Sequence, residues 1–495
     1  MNRHLKASPP AVQGSEGDKD KTPPVVRYLG LEAKWWVLLA IGISTFMSAL
    51  DGSVVNTALP VISVFFNTDV SSIEWVVTIY LLVLSGLLLS FGRLGDLRGH
   101  KTVFISGFGI FIISSALCGF APSLVWLILF RAVQALGAAM LSANSPAILT
   151  KSFPGSQRGQ ALGLQATMTY LGLTVGPTLG GWLTDQFSWR AIFYINVPVG
   201  LAALWLGLRY IPADAYLREA RAASERFDLT GAGLFIVGLI MLLLGLNQGH
   251  AQGWVSLPIL GSLSAALIIL AVFVAYERRV SHPMLDLALF KNRLFSISVI
   301  SAILNYICLF SILFLMPFYL IQGRGLTPTQ AGLLLSVQPV AMAIVAPLSG
   351  TLSDRIGVRL LTSLGMALLA IGIFMQSRFG PQTLTAHMAA GLAITGLGTG
   401  IFISPNNSAL MGSAPRHRQG IAAGILATSR NVGMVLGIGL AGAIFTTVLA
   451  QHGEGNTLTM PSPLMFQAFR ASFTTAAGIA ALGALISLVR SEKNE

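Results

Sequence analysis

A chain of 495 residues that is 54% hydrophobic and only 10% charged is excluded from the soluble enzymes, even at a formal net charge of +12. Soluble domains carry about a quarter of their residues as charges. Apolar runs of about 20 residues recur from end to end, each long enough to cross a ~30 Å hydrocarbon layer as a helix. The positive balance therefore belongs to loops facing anionic lipid and not to nucleic-acid binding.

Residues 1–34 are polar and rich in Pro, Gly, Lys and Asp. They lack the apolar core and small-residue cleavage site of a signal peptide and read as a disordered cytosolic tail. The first apolar span, 35–62, holds ALDGSVVNTALP (49–60), and with it Asp51, the one acid placed deep in a span. Ionisable groups at membrane depth are costly and are functional candidates by default. Two readings of Asp51 stand at this point: a carboxylate for which a proton and a cation compete, or an Asp held permanently by helix N–H groups or a neighbouring Arg. Spans two (73–92) and three (102–121) are joined by GRLGDLRGHK (92–101), which gathers Gly92, Arg93, Asp96, Arg98, Gly99 and Lys101 in a chain otherwise poor in charge. Span four (123–150) contains LFRAVQALGAAML, whose Arg131 needs a partner or water at that depth. It either balances Asp51 or makes a structural ion pair, and Gln134 follows it by almost one turn.

Span five (160–184) reads GLTVGPTLGG over 172–181. Pro177 removes a backbone hydrogen bond and the glycines leave a smooth face, which suits a bent helix packed at a moving interface or, equally, ordinary small-residue packing. Span six is 189–210. Residues 211–294 form an inserted segment with two further spans, 231–249 and 255–276. Spans nine to fourteen follow at 295–321, 329–352, 359–378, 384–411, 419–448 and 467–489, and 491–495 are a second tail. Arg430 and Asn431 in ATSRNVGMVLG (427–437) add a second deep cation. Asn56, Tyr80, Gln134, Asn144, Gln165, Asn305, Gln338, Asn406, Arg430 and Asn431 are candidate substrate-cavity residues, with Asn196 and Asn407 as further hydrogen-bonding points. With the N-terminus inside, cytosolic segments hold 25 basic residues against 4 outside, so both termini are expected in the cytosol.

The chain repeats itself. GRLGDLRGHK aligns with GTLSDRIGVR (350–359), matching Asp96 to Asp354, Gly99 to Gly357 and Lys101 to Arg359 at a shift of 258 residues. Gly163, Gly172, Gly176 and Gly181 match Gly424, Gly433, Gly437 and Gly442 at a shift of 261. Spans one to six (35–210) and nine to fourteen (295–490) are thus two halves of like orientation. Parallel halves related by an axis along the membrane normal build one large transporter fold, with substrate near the midplane between them. The Asp at a repeated spacing marks the 92–101 and 350–359 turns as a gate latch, in which Asp96 meets a helix N-terminus across the halves. No phosphate-binding GxxxxGK[ST] loop occurs, no metal-ligand cluster is apparent, and Cys118 and Cys308 lie in apolar runs and suggest no disulfide framework. No enzyme activity and no cofactor are expected; a proton gradient is the expected energy source.

These motifs resemble the major facilitator superfamily, and specifically its fourteen-span drug:proton antiporter branch (EmrB/QacA type). GRLGDLRGHK is similar to the superfamily signature between spans two and three. LDGSVVNTALP resembles the span-one signature of the branch, FRAVQALGAA its span-four motif and GLTVGPTLGG its span-five motif. SWRAIFYINVPVG (188–200) is also typical of it. The resemblance implies an all-α integral membrane protein with two six-helix halves and two inserted helices. It implies Asp51 and Arg131 as coupling residues and Gly172, Gly176, Pro177, Gly180 and Gly181 as the antiport hinge. It implies proton-driven export of lipophilic or monovalent cationic compounds from the cytosol across the plasma (inner) membrane, by a monomer. A transporter of one dedicated metabolite and a non-transporting sensor or scaffold are the competing readings.

Overall fold

The computed structural model describes residues 27–28, 31–154, 157–212, 229–280, 287–415, 419–451 and 463–489. Most of the 1–34 tail, much of the linker after 212, and all of 491–495 lie outside them. Among the described residues the only strands are Arg27–Tyr28 and Leu31–Glu32, a two-residue antiparallel pair. Everything else of substance is helix: α1 Ala33–Phe65, α2 Val70–Ile73, α3 Trp75–Arg98, α4 His100–Gly119, α5 Leu124–Ser152, α6 Arg158–Gln186, α7 Ala191–Tyr194, α8 Asn196–Tyr210, α9 Leu229–Gln252, α10 Leu257–Glu277, α11 Arg293–Phe318, α12 Pro328–Ile356, α13 Val358–Gln376, α14 Thr385–Ser413, α15 Gln419–Gln451 and α16 Pro463–Leu488. A π turn at Tyr319–Gly323 prolongs α11.

Among the described residues twelve helical runs are long and apolar enough to cross a membrane, two fewer than the fourteen that hydropathy suggests. The shortfall falls on α6 and α9. The glycines and threonines of α6 dilute its hydropathy, because it packs through them on α1 and α12. In α9 the apolar stretch is Gly233–Leu246, shorter than a span.

The helices α1 and α3 to α8 pack as one bundle and α11 to α16 as another, and the pair α9–α10 lies against α3 and α15. The sequence repeat is visible in the backbone. Gly99 (φ 95°) and Gly357 (φ 85°) each form a one-residue break between two helices, a conformation that a side chain resists. Each breaks the helix in the same way: the Gly99 N–H reaches Gly95 O at 2.8 Å and the Gly357 N–H reaches Ser353 O at 3.1 Å.

The 92–101 turn is therefore shorter than the sequence suggests. Gly92, Arg93, Asp96 and Arg98 lie in the last turns of α3, and only Gly99 is outside a helix. Asp354 likewise lies within α12 and Arg359 within α13. The side chains of Arg93 and Asp354 are outside the described residues.

Glycines set the packing inside each bundle. On α6, Gly172, Gly176 and Gly180 recur every fourth residue and lay one face on α1. A Cβ at Gly172 would sit 2.6 Å from Phe46 O, and one at Gly180 would sit 2.9 Å from Val54 Cγ1. On α15 the matching Gly433 and Gly437 face α11, where a Cβ at Gly433 would sit 2.7 Å from Ile303 O. Hydroxyls repeat as well: Ser53 Oγ donates to Gly172 O at 3.3 Å, and Ser311 Oγ to Gly437 O at 3.0 Å.

Candidate functional site

Asp51 and Arg131 are brought together. Asp51 is 1% exposed and Arg131 0%, and Arg131 Nη1 donates to Asp51 Oδ2 at 2.6 Å. A buried ion pair survives only if its remaining polar atoms are also satisfied. Here Asp51 Oδ1 accepts from Gln134 Nε2 at 3.0 Å and from Asn196 Nδ2 at 2.9 Å. Gln134 Oε1 accepts from Arg131 Nη1 at 2.7 Å, and Gln134 Nε2 also donates to Ser115 Oγ at 2.6 Å. Arg131 Nε donates to Val76 O at 3.1 Å. Nη2 has no hydrogen-bond acceptor among the described residues, but the guanidinium lies over the Tyr80 ring at 4.2 Å and that π face takes the place of one.

Five helices thus contribute to the cluster around this carboxylate: α1 (Asp51), α3 (Val76, Tyr80), α4 (Ser115), α5 (Arg131, Gln134) and α8 (Asn196). Arg131 is the partner of Asp51 and also bonds the Val76 carbonyl, contacts that belong to the coupling and the structural reading alike. Gln134 and Tyr80, both candidates for the substrate cavity, belong to this buried cluster. Ser115 is the member that the sequence does not single out; the serine pair in an otherwise apolar span is its only trace.

Asn144, another cavity candidate, sits at the 92–101 segment. It is buried, its Nδ2 donates to Met140 O at 2.8 Å and Phe91 O at 3.1 Å, and its Oδ1 meets His100 Nδ1 at 2.8 Å. It clamps α3, α4 and α5 where the 92–101 segment turns. The Asp96 carboxylate lies 3.3 Å from His100 Nε2 in that same corner, so this ion pair is local to one half. Lys101 caps the end of α8, donating to Leu208 O at 3.1 Å and to Ile211 O at 2.5 Å. A cation suits a helix C-terminus.

The sequence reading singles out Gly92, yet the tight glycine is Gly95. A Cβ there would collide with Asn144 Oδ1 and stand 2.5 Å from His100 Nδ1, whereas at Gly92 the nearest atom is Ala143 Cβ at 3.9 Å. Overpacking of this kind costs about 1–3 kcal/mol. Gly95→Ala is therefore expected to lower the unfolding temperature of the purified protein by several degrees and Gly92→Ala to leave it unchanged, as read by thermal denaturation in detergent.

Other candidates lie between helices. Asn406 Nδ2 donates to Ser298 O at 3.1 Å and ties α14 to α11. Asn305 Nδ2 points at Met366 Sδ at 3.4 Å, between α11 and α13. Asn56 Nδ2 turns back to Gly52 O at 3.0 Å, and Gln338 is buried between α12 and α14. All four are buried, and Asn56 Oδ1, Asn305 Oδ1 and Gln338 Nε2 have no hydrogen-bond partner among the described residues. Gln165 stays partly buried and donates to Thr45 Oγ1 at 3.2 Å. Asn431 is buried, but Arg430 is exposed in the middle of α15.

The second face of α6 meets the other bundle. A Cβ at Gly181 would collide with Pro328 O of α12, and a Cβ at Gly332 of α12 would collide with Pro177 O of α6. Thr178 Oγ1 and Ser336 Oγ are 2.7 Å apart, and Thr329 Oγ1 donates to Asp185 Oδ2 at 2.7 Å. Gln322 Nε2 donates to Pro60 O and Ser63 Oγ, both at 3.2 Å. These hydrogen bonds between bundles all lie at the end remote from Gly99 and Gly357. The two bundles are closed on each other at that end.

A family model described as the Major Facilitator Superfamily matches residues 41–290 and 294–495. The chain belongs to this superfamily. It is 33% identical to a riboflavin transporter of Clostridioides difficile over 94% of this chain and 99% of that protein. It is 34% identical to the multidrug resistance protein Stp of Mycobacterium tuberculosis over 83% of this chain and 76% of that one. A bacterial homologue of the lysosomal transporter Spinster, solved in an inward-facing, unoccupied conformation, superposes with a TM-score of 0.65. The match covers 92% of this chain and 96% of that one at 17% identity. The chain is a multi-pass membrane transporter and not an enzyme.

Proposed function

We propose that this superfamily member exports lipophilic small molecules in exchange for protons, by alternating access of a site between its two halves. It does so as a monomer of the plasma (inner) membrane, with both termini in the cytoplasm and without a cofactor. On this reading α6 and α9 also cross the bilayer, which gives the fourteen spans of the drug:proton antiporter branch.

The observation that carries the proposal is the sealed Asp51–Arg131 cluster. A proton on Asp51 cancels the charge that holds Arg131 Nη1 and weakens the link between α5 and α1. Helix α1 is the same element on which α6 rides through Gly172, Gly176 and Gly180, and α6 carries the contacts that close the remote end. Protonation at Asp51 is thereby mechanically joined to the interface between the halves. On this reading, with the termini inside, the closed end is the outer one and substrate is loaded from the cytosol.

A second reading, export or uptake of one dedicated metabolite, is favoured by the end-to-end match to a riboflavin transporter. Efflux of a panel of dyes and antibiotics, measured with and without an uncoupler, separates the two. The exporter reading expects protection against several unrelated lipophilic compounds that disappears with the uncoupler. Protection against none, or efflux indifferent to the uncoupler, rejects it.

A further inference from the structure

The two seams between the halves differ by one carboxylate. At the 258-residue shift of the repeat, Glu74 stands where Gly332 stands in the other half, and at the 261-residue shift Gly442 matches Gly181. The seam of α6 with α12 is closed backbone to backbone, with Gly181 against Pro328 O and Gly332 against Pro177 O. In the seam of α15 with α3, a Cβ at Gly442 would collide with Glu74 Oε2 instead. Glu74 directly precedes α3, at the end remote from Gly99, and is 2% exposed. Its carboxylate is therefore enclosed between the halves at the end where they are closed.

Enclosure has a different cost for the two protonation states. Taking an ionised carboxylate out of water is far more costly than taking its neutral acid. The elements packed around Glu74 carry few charges. Asp69, a further acid, caps α2 five residues before it. Helix α15 has Arg430 as its one charged residue, twelve residues before Gly442 and about 18 Å toward the other end. Helix α9, against α3 and α15, has His250 as its one titratable residue. On α1 the acid is Asp51, bound to Arg131 of α5, which also reaches Val76 O two residues along from Glu74. Tyr80 lies further along α3 under that same guanidinium. Separating α15 from α3 would uncover the Glu74 carboxylate to water on that side, and closing the seam would enclose it again.

We propose that Glu74 is the residue through which protons on the outer side close the transporter after it has released its cargo. The carboxylate takes one proton from outer water before the seam closes and returns it to the same side when the seam opens. This proton sets the closing equilibrium and is not among those carried across. The proposal rests on the export reading, which makes the closed end the outer one.

The test follows closure directly, in the purified full-length protein in detergent and without a gradient. Phe187 and Leu384 are exposed positions at the closed end, one in each half. Both are changed to Cys and spin-labelled, with Cys118 and Cys308 buried, and the distance between the labels is measured from pH 5 to pH 9. The ratio of short to long distances is expected to fall as pH rises, by about tenfold per pH unit over its steep range, which is the slope of one linked proton. Glu74→Gln should hold the short distance across the whole range, which also reports that the variant is folded. Asp51→Asn/Arg131→Met, with Glu74 intact, should keep the slope. A ratio indifferent to pH in the native protein, or a slope that survives Glu74→Gln, overturns the proposal. A slope lost in the double variant assigns the response to Asp51 and overturns it equally. Efflux indifferent to an uncoupler would reject proton-driven export but leave this slope unchanged, so the two failures are distinguishable.

Discussion

Asp51→Asn is expected to abolish proton-driven efflux while the protein still reaches the membrane. The substitution keeps the shape of the side chain but removes its charge and its titration. Arg131, 0% exposed, then loses the carboxylate 2.6 Å from its Nη1 and faces either an amide oxygen or, in the other rotamer, a second donor. Removing one member of a buried pair costs about 3–5 kcal/mol, because the other charge is left uncompensated. A loss of efflux alone would therefore confound coupling with stability. The double variant Asp51→Asn/Arg131→Met separates them. Removing both charges restores much of the thermal stability but no coupling. Efflux in everted vesicles under an imposed pH gradient, read alongside the unfolding temperature, is the measurement. Efflux that still follows the gradient in either variant rejects Asp51 as the proton site.

The fold was legible because two independent signals agreed. Apolar run length pointed to fourteen spans, of which twelve are apolar enough among the described residues, and the repeat of glycines and of the 92–101 segment pointed to two halves of like orientation. The ion pair was half legible: Asp51 and Arg131 stand out as the charges in apolar spans, but nothing in their spacing says that they touch. Asn196 donates to the same carboxylate and Ser115 accepts from the Gln134 that also donates to it, each from a helix remote in sequence, and neither residue type is rare enough to announce it.

The polar candidates have partners that the sequence does not announce. An Asn or Gln in an apolar span has two ways to satisfy its amide, a ligand or a neighbouring carbonyl, and composition does not distinguish them. Asn144 and Asn406 took the carbonyl. Arg430 shows the reverse case. Its exposure in the middle of α15, invisible in the sequence, makes it the candidate with most to offer a ligand. The 92–101 segment misled in another way. Its polarity reads as a loop, but a helix end protruding into solvent is equally polar, and a single left-handed glycine suffices to reverse the chain.

Gly181→Ala is expected to stop turnover without unfolding either half. The added methyl collides with Pro328 O across the halves, and a backbone carbonyl at a helix start has little room to retreat. The clash exists only while that end is closed. Relieving it favours the opposite state by the cost of the overpacking, on the order of 2 kcal/mol, which is a shift of about thirtyfold in population. Gly332→Ala, which meets Pro177 O from the other side, should behave alike. Gly163→Ala on the same helix meets nothing within 4 Å and serves as the neutral control.

Thr178 and Ser336, whose hydroxyls are 2.7 Å apart, supply the reporter. With both changed to Cys, oxidation should cross-link the two halves in the native background, since Cys118 and Cys308 are buried and do not compete. The cross-link should fall sharply with Gly181→Ala or Gly332→Ala and persist with Gly163→Ala. Unchanged cross-linking together with unchanged efflux in the Gly181→Ala protein would show that α6 and α12 separate little during the cycle. In that case the closed end would not be the moving gate.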